Sequence, residues 1–286
     1  SWLEHTVHTR GVDGSSPPLA TINRNDFRKR DVSIFLFLTR KLPYSGERKS
    51  MKDLWQKFLR IYHKYSYANV LWIGIIYPLW FKSIESRVTV ATGYHIMHTK
   101  IDEMIPFCEY FIVPYFMWFL YIFLGILYFL FTNKEDFYKV CLYLFIGMIF
   151  SLLICEIYPN GTDLRPPYIS DKNIFQVMVA GLYRVDTPTN VFPSIHAYNS
   201  ICMHVAIMKS KDIRRLRYGK AVIWGSFLLC LLICMATLVL KQHSILDVGG
   251  AILLSFIAYG FVYGYPSFRL WEYLEKKYPC LTKDEG

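Results

Sequence analysis

Three short pieces of the chain carry residue types suited to moving a phosphoryl group: Asp163-Leu164-Arg165-Pro166-Pro167, Pro193-Ser194-Ile195-His196 and His243-Ser244-Ile245-Leu246-Asp247. His243 and Asp247 are four residues apart and share a face on a helix. The carboxylate can then accept from one ring nitrogen and leave the other free to attack phosphorus. A second histidine, His196, is suited to protonate the departing oxygen and then to activate the incoming water or alcohol. Phosphoryl transfer asks the protein mainly to position the group and neutralise its oxygens, and the planar fork of Arg165 suits that task. Ser194 follows Pro193 at the start of an apolar run, where its hydroxyl can donate to phosphate or cap the helix. Taken singly, each piece has a plainer reading: Ser194 as a cap, and the histidines and Asp247 as hydrogen-bonding groups inside a bundle.

The elements that would position these residues are membrane helices. The chain is 53% hydrophobic and 17% aromatic, with a mean hydropathy of +0.25, too apolar for an ordinary soluble domain. Its net charge of +10 lies in short basic clusters between apolar runs, a pattern that marks topology and not a nucleic-acid partner. The cysteines fall in or beside apolar runs and outline no disulfide framework or zinc site. The first 65 residues hold no signal-peptide core, and Val32–Leu38 is too short to span a bilayer.

Stretches without Asp, Glu, Lys or Arg predict six spans, at 65–81, 110–133, 140–155, 187–208, 221–240 and 248–268. The expected fold is all-α, a six-span transmembrane helical bundle over 65–268, with a polar basic region at 1–64 and a tail at 269–286. The segment 209–220 carries six basic residues and one acid, whereas 82–109 and 156–186 each hold three basic and four acidic residues. Short basic loops stay in the cytoplasm, so both termini and 209–220 are expected there. Crossing parity then brings Arg165, His196 and His243 to the opposite, non-cytoplasmic face. His95 and His98 are spaced like metal ligands, but a membrane-surface loop explains them better. The glycosylation sequon Asn160-Gly161-Thr162 adjoins a span and is expected to be unmodified.

In this order and placement the pieces resemble the type 2 phosphatidic acid phosphatase superfamily, which includes vanadium haloperoxidases and lipid phosphotransferases. The resemblance covers roughly 65–268. It implies that Arg165 and Ser194 hold phosphate, His196 is the acid/base, His243 the nucleophile and Asp247 its orienting partner. Two phosphate-binding cations of the phosphatase pattern are missing, with Tyr158 where it has lysine and Ala236-Thr237 where it has Ser-Arg. Lys241, Lys172 or Arg184 are candidates to compensate. The implied activity is that of a membrane lipid phosphatase working on a phosphomonoester or related lipid phosphate through phosphohistidine. The rivals are a transferase passing phosphoinositol or phosphocholine to a lipid alcohol, and a non-catalytic lipid transporter. No cofactor or metal is expected, because no carboxylate cluster suits catalytic magnesium. Vanadate is expected to inhibit, and the expected partners are a lipid phosphate and membrane lipids.

Overall fold

The computed structural model describes residues 45–89 and 91–264, together with 273, 276 and 277. The expected features before residue 45, including Val32–Leu38, and nearly all of the 269–286 tail lie outside the described residues. The chain divides into two compact units, Ser1–Ile61 and Tyr62–Gly286. The described part of the first is most of helix α1 (Ser45–Lys64). In the second, a 3-10 turn at Ser66–Trp72 leads into α2 (Ile73–Arg87), and a short α3 (Lys100–Met104) follows. Then come α4 (Ile112–Thr132), α5 (Lys134–Ile157), α6 (Ile174–Val185), α7 (Ile195–Lys209), α8 (Lys211–Arg215), α9 (Gly219–Val239) and α10 (Ile245–Tyr263). Two strands of two residues each, β1 (His95–Ile96) and β2 (Asn160–Gly161), pair in parallel.

Among the described residues, four segments are long and apolar enough to cross a membrane: Glu109–Thr132, Lys134–Ile157, Gly219–Val239 and Ile245–Tyr263. They correspond to the runs expected at 110–133, 140–155, 221–240 and 248–268. The third run is extended at its start because Asn133 caps the helix by accepting from the Asp136 amide at 3.0 Å.

The other two expected spans differ in register. The run 65–81 is a 3-10 turn followed by α2, which continues past it to Arg87. The charges at its end find partners: Lys82 pairs with Glu85, and Arg87 makes a two-pronged contact with Glu156 at 2.7 and 2.8 Å. In the run 187–208, residues before Ile195 are not helical, and Asn190 takes a left-handed φ of 59°. An absence of charge marks where lipid or protein surrounds the chain, not where its backbone coils. Helix α6, in a stretch taken for loop, starts where the Asn173 side chain accepts from Gln176 N at 2.8 Å.

Helix α7 is the centre of the bundle, packed against α4, α5, α9 and α10. Protein surrounds Tyr198, Asn199, Ser200, Cys202 and Met203 on it, so this helix need not be apolar all round. Its approach to α5 is close: a Cβ on Gly147 would lie 2.0 Å from the Tyr198 ring. The Tyr198 hydroxyl donates to the Tyr143 carbonyl at 2.6 Å, which fixes the height of α7 and so of His196.

Candidate active site

The start of α7 is tied to the start of α10. The Ser194 side chain caps α7 by accepting from Ala197 N at 3.4 Å, while its own amide donates to the Asp247 carbonyl at 3.1 Å. Ser244 caps α10 in a reciprocal box with Asp247, whose Oδ2 accepts from Ser244 N at 2.8 Å. His243 stands immediately before this cap. Its position is set from the other side by the end of α9, where the Thr237 carbonyl accepts from Gln242 N at 3.0 Å and His243 N at 3.1 Å.

His196 and His243 face one another across a cleft of about 700 Å³, with ring centroids 5.9 Å apart. His243 Nδ1 is 3.3 Å from Asp247 Oδ2, within ion-pair reach, but its N–H is not aligned as a hydrogen bond. Catalytic hydrogen bonds are often loose before substrate binds, and Asp247 Oδ1 has no partner to hold it away. This contact leaves Nε2 as the ring nitrogen for attack. His196 packs against Tyr115 and Trp118, at centroid distances of 4.6 and 4.5 Å. Three predicted residues, His196, His243 and Asp247, are therefore together.

The predicted phosphate holders are placed differently. Ser194 is fully buried as a cap and does not line the cleft. The Arg165 guanidinium lies on the Tyr183 ring at 4.5 Å and donates to the carbonyls of Asp186 at 2.7 Å and Thr187 at 3.2 Å, and to Gln242 Oε1. Lys241, at a left-handed φ of 55°, donates from Nζ to the Asp102 carbonyl at 2.6 Å and to that of Ile105. Lys172 and Arg184 are exposed, and among the described residues no lysine or arginine lines the cleft. At the positions of the two missing cations, Tyr158 stacks on His95 at 4.0 Å, and Ala236 and Thr237 are fully buried.

Asp102, Gln242 and Asp186 are residues that sequence reasoning missed. Asp102 is 1% exposed, and its carboxylate accepts from Ser244 Oγ at 2.7 Å and Ile245 N at 2.8 Å, and from the Thr99 amide and hydroxyl at 2.8 Å each. Burial, the largest influence, opposes its charge, but the hydrogen bonds together outweigh it and hold its carboxyl below 3.8. A carboxylate at the first turn of α10 also suits the helix dipole. Gln242 was detectable as the polar neighbour of His243. Asp186 was visible only as one acid in a mixed loop.

The two loop histidines have separate partners. His98 lies between Asp163 at 2.7 Å and Glu103 at 3.2 Å, and the Asp163 contact is the main reason its pKa is raised. Asn160, of the sequon, is fully buried and donates to the Tyr158 carbonyl at 2.8 Å while accepting from Phe192 N at 2.8 Å.

The family model of the PAP2 superfamily matches residues 139–271, the stretch that supplies both histidines and Asp247. This match supports the type 2 phosphatidic acid phosphatase superfamily. It also supports an activity of the phosphatase or phosphotransferase type on a phosphorylated substrate, and the four apolar helices indicate a membrane protein. No curated protein and no solved structure matches the chain.

Proposed function

We propose that this PAP2 superfamily member is a membrane lipid phosphatase that transfers the phosphoryl group of a lipid phosphate through a phosphohistidine at His243. The observation that carries this reading is the convergence of His196 and His243 on one cleft, with Asp247 behind His243. Nε2 of His243 attacks phosphorus, and the P–O bond to the alcohol breaks. His196 delivers its proton to the departing oxygen, then takes one from the water that cleaves the P–N bond. No step of this sequence draws on a metal.

A second reading, transfer to a lipid alcohol, is favoured by one observation. The cleft has no lysine or arginine along its wall among the described residues, but it does have aromatic walls from α2 and α4. Purified protein in detergent, given lipid phosphates and phosphodiesters with and without an alcohol acceptor, separates the two. Hydrolysis unaffected by alcohol supports the phosphatase, product formed only with alcohol supports the transferase, and inactivity throughout, with no vanadate-sensitive binding, rejects both.

The arrangement proposed in the bilayer has six spans, with α2 and α7 completing the set and 65–268 forming the membrane domain. The basic 209–220 segment is cytoplasmic and the cleft opens on the other face. A Lys211→Cys variant, at an exposed position of the same segment, is expected in intact cells to resist a membrane-impermeant thiol reagent and to react after permeabilisation. The native cysteines are replaced first so that they do not contribute. Labelling from outside would reverse the orientation.

A further inference from the structure

We propose that Gln242 and Asn190 hold the oxygens of the transferring phosphoryl group as neutral amide donors, with Arg165 as the positioning residue that aims and polarises Gln242. The inference rests on the phosphoryl-transfer reading above and fills the oxygen-holding role that the two missing cations leave open. Gln242 directly precedes His243, is 2% exposed and lines the cleft. A guanidinium only donates, so the atom of Gln242 that meets Arg165 is Oε1. Nε2 is thereby turned away from Arg165, and it has no partner. An amide fixed in this way is a donor strengthened by a charge that it does not itself carry. Asn190 lines the same cleft, and neither polar atom of its side chain has a partner. Buried polar groups are seldom left unpaired, so two orphaned amides on one cleft indicate a ligand rich in acceptors.

Both amides stand on backbone that is already fixed. The Thr237 carbonyl accepts from Gln242 N at 3.0 Å and from His243 N at 3.1 Å, so donor and nucleophile belong to one turn. Asn190 takes a left-handed φ of 59°, and its main-chain N–H donates to the Asn160 carbonyl at 2.7 Å. The Asn160 side chain accepts from Phe192 N at 2.8 Å, which holds the other end of the same short loop. Donors set in advance are the kind that stabilise charge developing on equatorial oxygens.

Neutral donors also suit the charges nearby. The charged residues on the wall are Glu85 and Asp186. A lysine or arginine beside them would be drawn into ion pairs, whereas an amide keeps its N–H groups for the ligand. The one guanidinium close by, that of Arg165, is occupied by the carbonyls of Asp186 and Thr187 and acts on the cleft through the Gln242 amide.

Gln242→Glu separates the two tasks of this residue. The carboxylate has the same size and still accepts from Arg165, but the donor facing the ligand becomes an acceptor. Calorimetric titration of the full chain in detergent with vanadate reads oxygen-holding without turnover. The wild type is expected to bind vanadate, and Gln242→Glu to bind it about a hundredfold or more weakly, with kcat for a lipid phosphate reduced by a similar factor and the melting temperature not lowered. Vanadate affinity unchanged in Gln242→Glu, or no vanadate binding by the wild type, would overturn the proposal. Should Gln242→Glu fail to fold, Asn190→Gly decides, because glycine accepts the left-handed φ and removes only the amide. About tenfold weaker vanadate binding is expected, and unchanged binding would overturn the proposal. Arg165→Lys is expected to weaken vanadate binding severalfold in the wild type and to add nothing in a Gln242→Leu background. Equal losses in both backgrounds would overturn its action through Gln242. Vanadate held through Gln242 without any turnover would fault the catalytic reading and leave the oxygen-holding site in place. Turnover through His243 that Gln242→Glu leaves unimpaired would do the reverse.

Discussion

Replacing His196 with alanine is expected to slow cleavage of a lipid phosphate by on the order of a hundredfold or more, and to cost much less with a nitrophenyl ester of the same phosphate. The difference comes from the leaving group. A lipid alkoxide departs only with a proton, and the ring proposed to supply it is His196, packed against Tyr115 and Trp118 with its centroid 5.9 Å from that of His243. A nitrophenolate departs without one. The covalent intermediate should therefore form readily from the aryl ester in His196→Ala. It should then accumulate, because the attacking water has lost its base. Rapid-mix measurement of the product burst checks this in an aryl ester that the wild type accepts. Equal losses on the two leaving groups would mean that His196 is not the proton donor.

Asp102→Ala is expected to lower kcat by about a hundredfold for lipid and aryl esters alike, with little change in KM. Asp102 does not touch the cleft, but its carboxylate holds Ser244 and Ile245 directly after His243, and its main chain receives Lys241 directly before Gln242. Removing it leaves several buried donors without an acceptor, each at about 1–3 kcal/mol, and loosens the turn that aims His243. Misplacement of a nucleophile by about 1 Å is enough for a loss of this size. Because the attack by His243 is common to every substrate, this loss should not depend on the leaving group, unlike that of His196→Ala. A lower melting temperature with unchanged kcat per folded molecule would make Asp102 a stability residue only. The carboxyl is held below 3.8, so its contribution is complete above the unfolded value and is lost as pH falls through the lower folded one.

The legible part of this site was local. His243 and Asp247 lie one helical turn apart, and Pro193-Ser194 announces a helix start, so residue type, spacing and crossing parity marked His196, His243 and Asp247 as candidates, and the two histidines line one cleft with Asp247 beside His243. The illegible part was long-range. Asp102 meets Ser244 across 142 residues, and nothing near Asp102 signals that contact. Arg165 is a second case. Its residue type suggested a phosphate clamp, but its donors go to the carbonyls of Tyr183, Asp186 and Thr187 and to Gln242 Oε1, and Arg165 itself does not line the cleft. Among the helices, the four apolar and long ones were visible as charge-free runs. Helix α7 was mis-started because eight residues of loop, ending in the Ser194 cap, are as free of charge as the helix itself. Helix α6 was missed although Asn173 precedes an apolar run in the manner of a cap, because attention to charge made 156–186 a single loop.

The most direct test is to trap the intermediate. Purified wild type mixed for milliseconds with a phosphorus-labelled substrate and quenched in alkali is expected to carry label on one peptide, that containing His243, with the acid lability of a phosphoramidate. The label should be absent from His243→Ala and enriched in His196→Ala with an aryl ester. Label on any other residue, or full turnover by His243→Ala, would contradict the account.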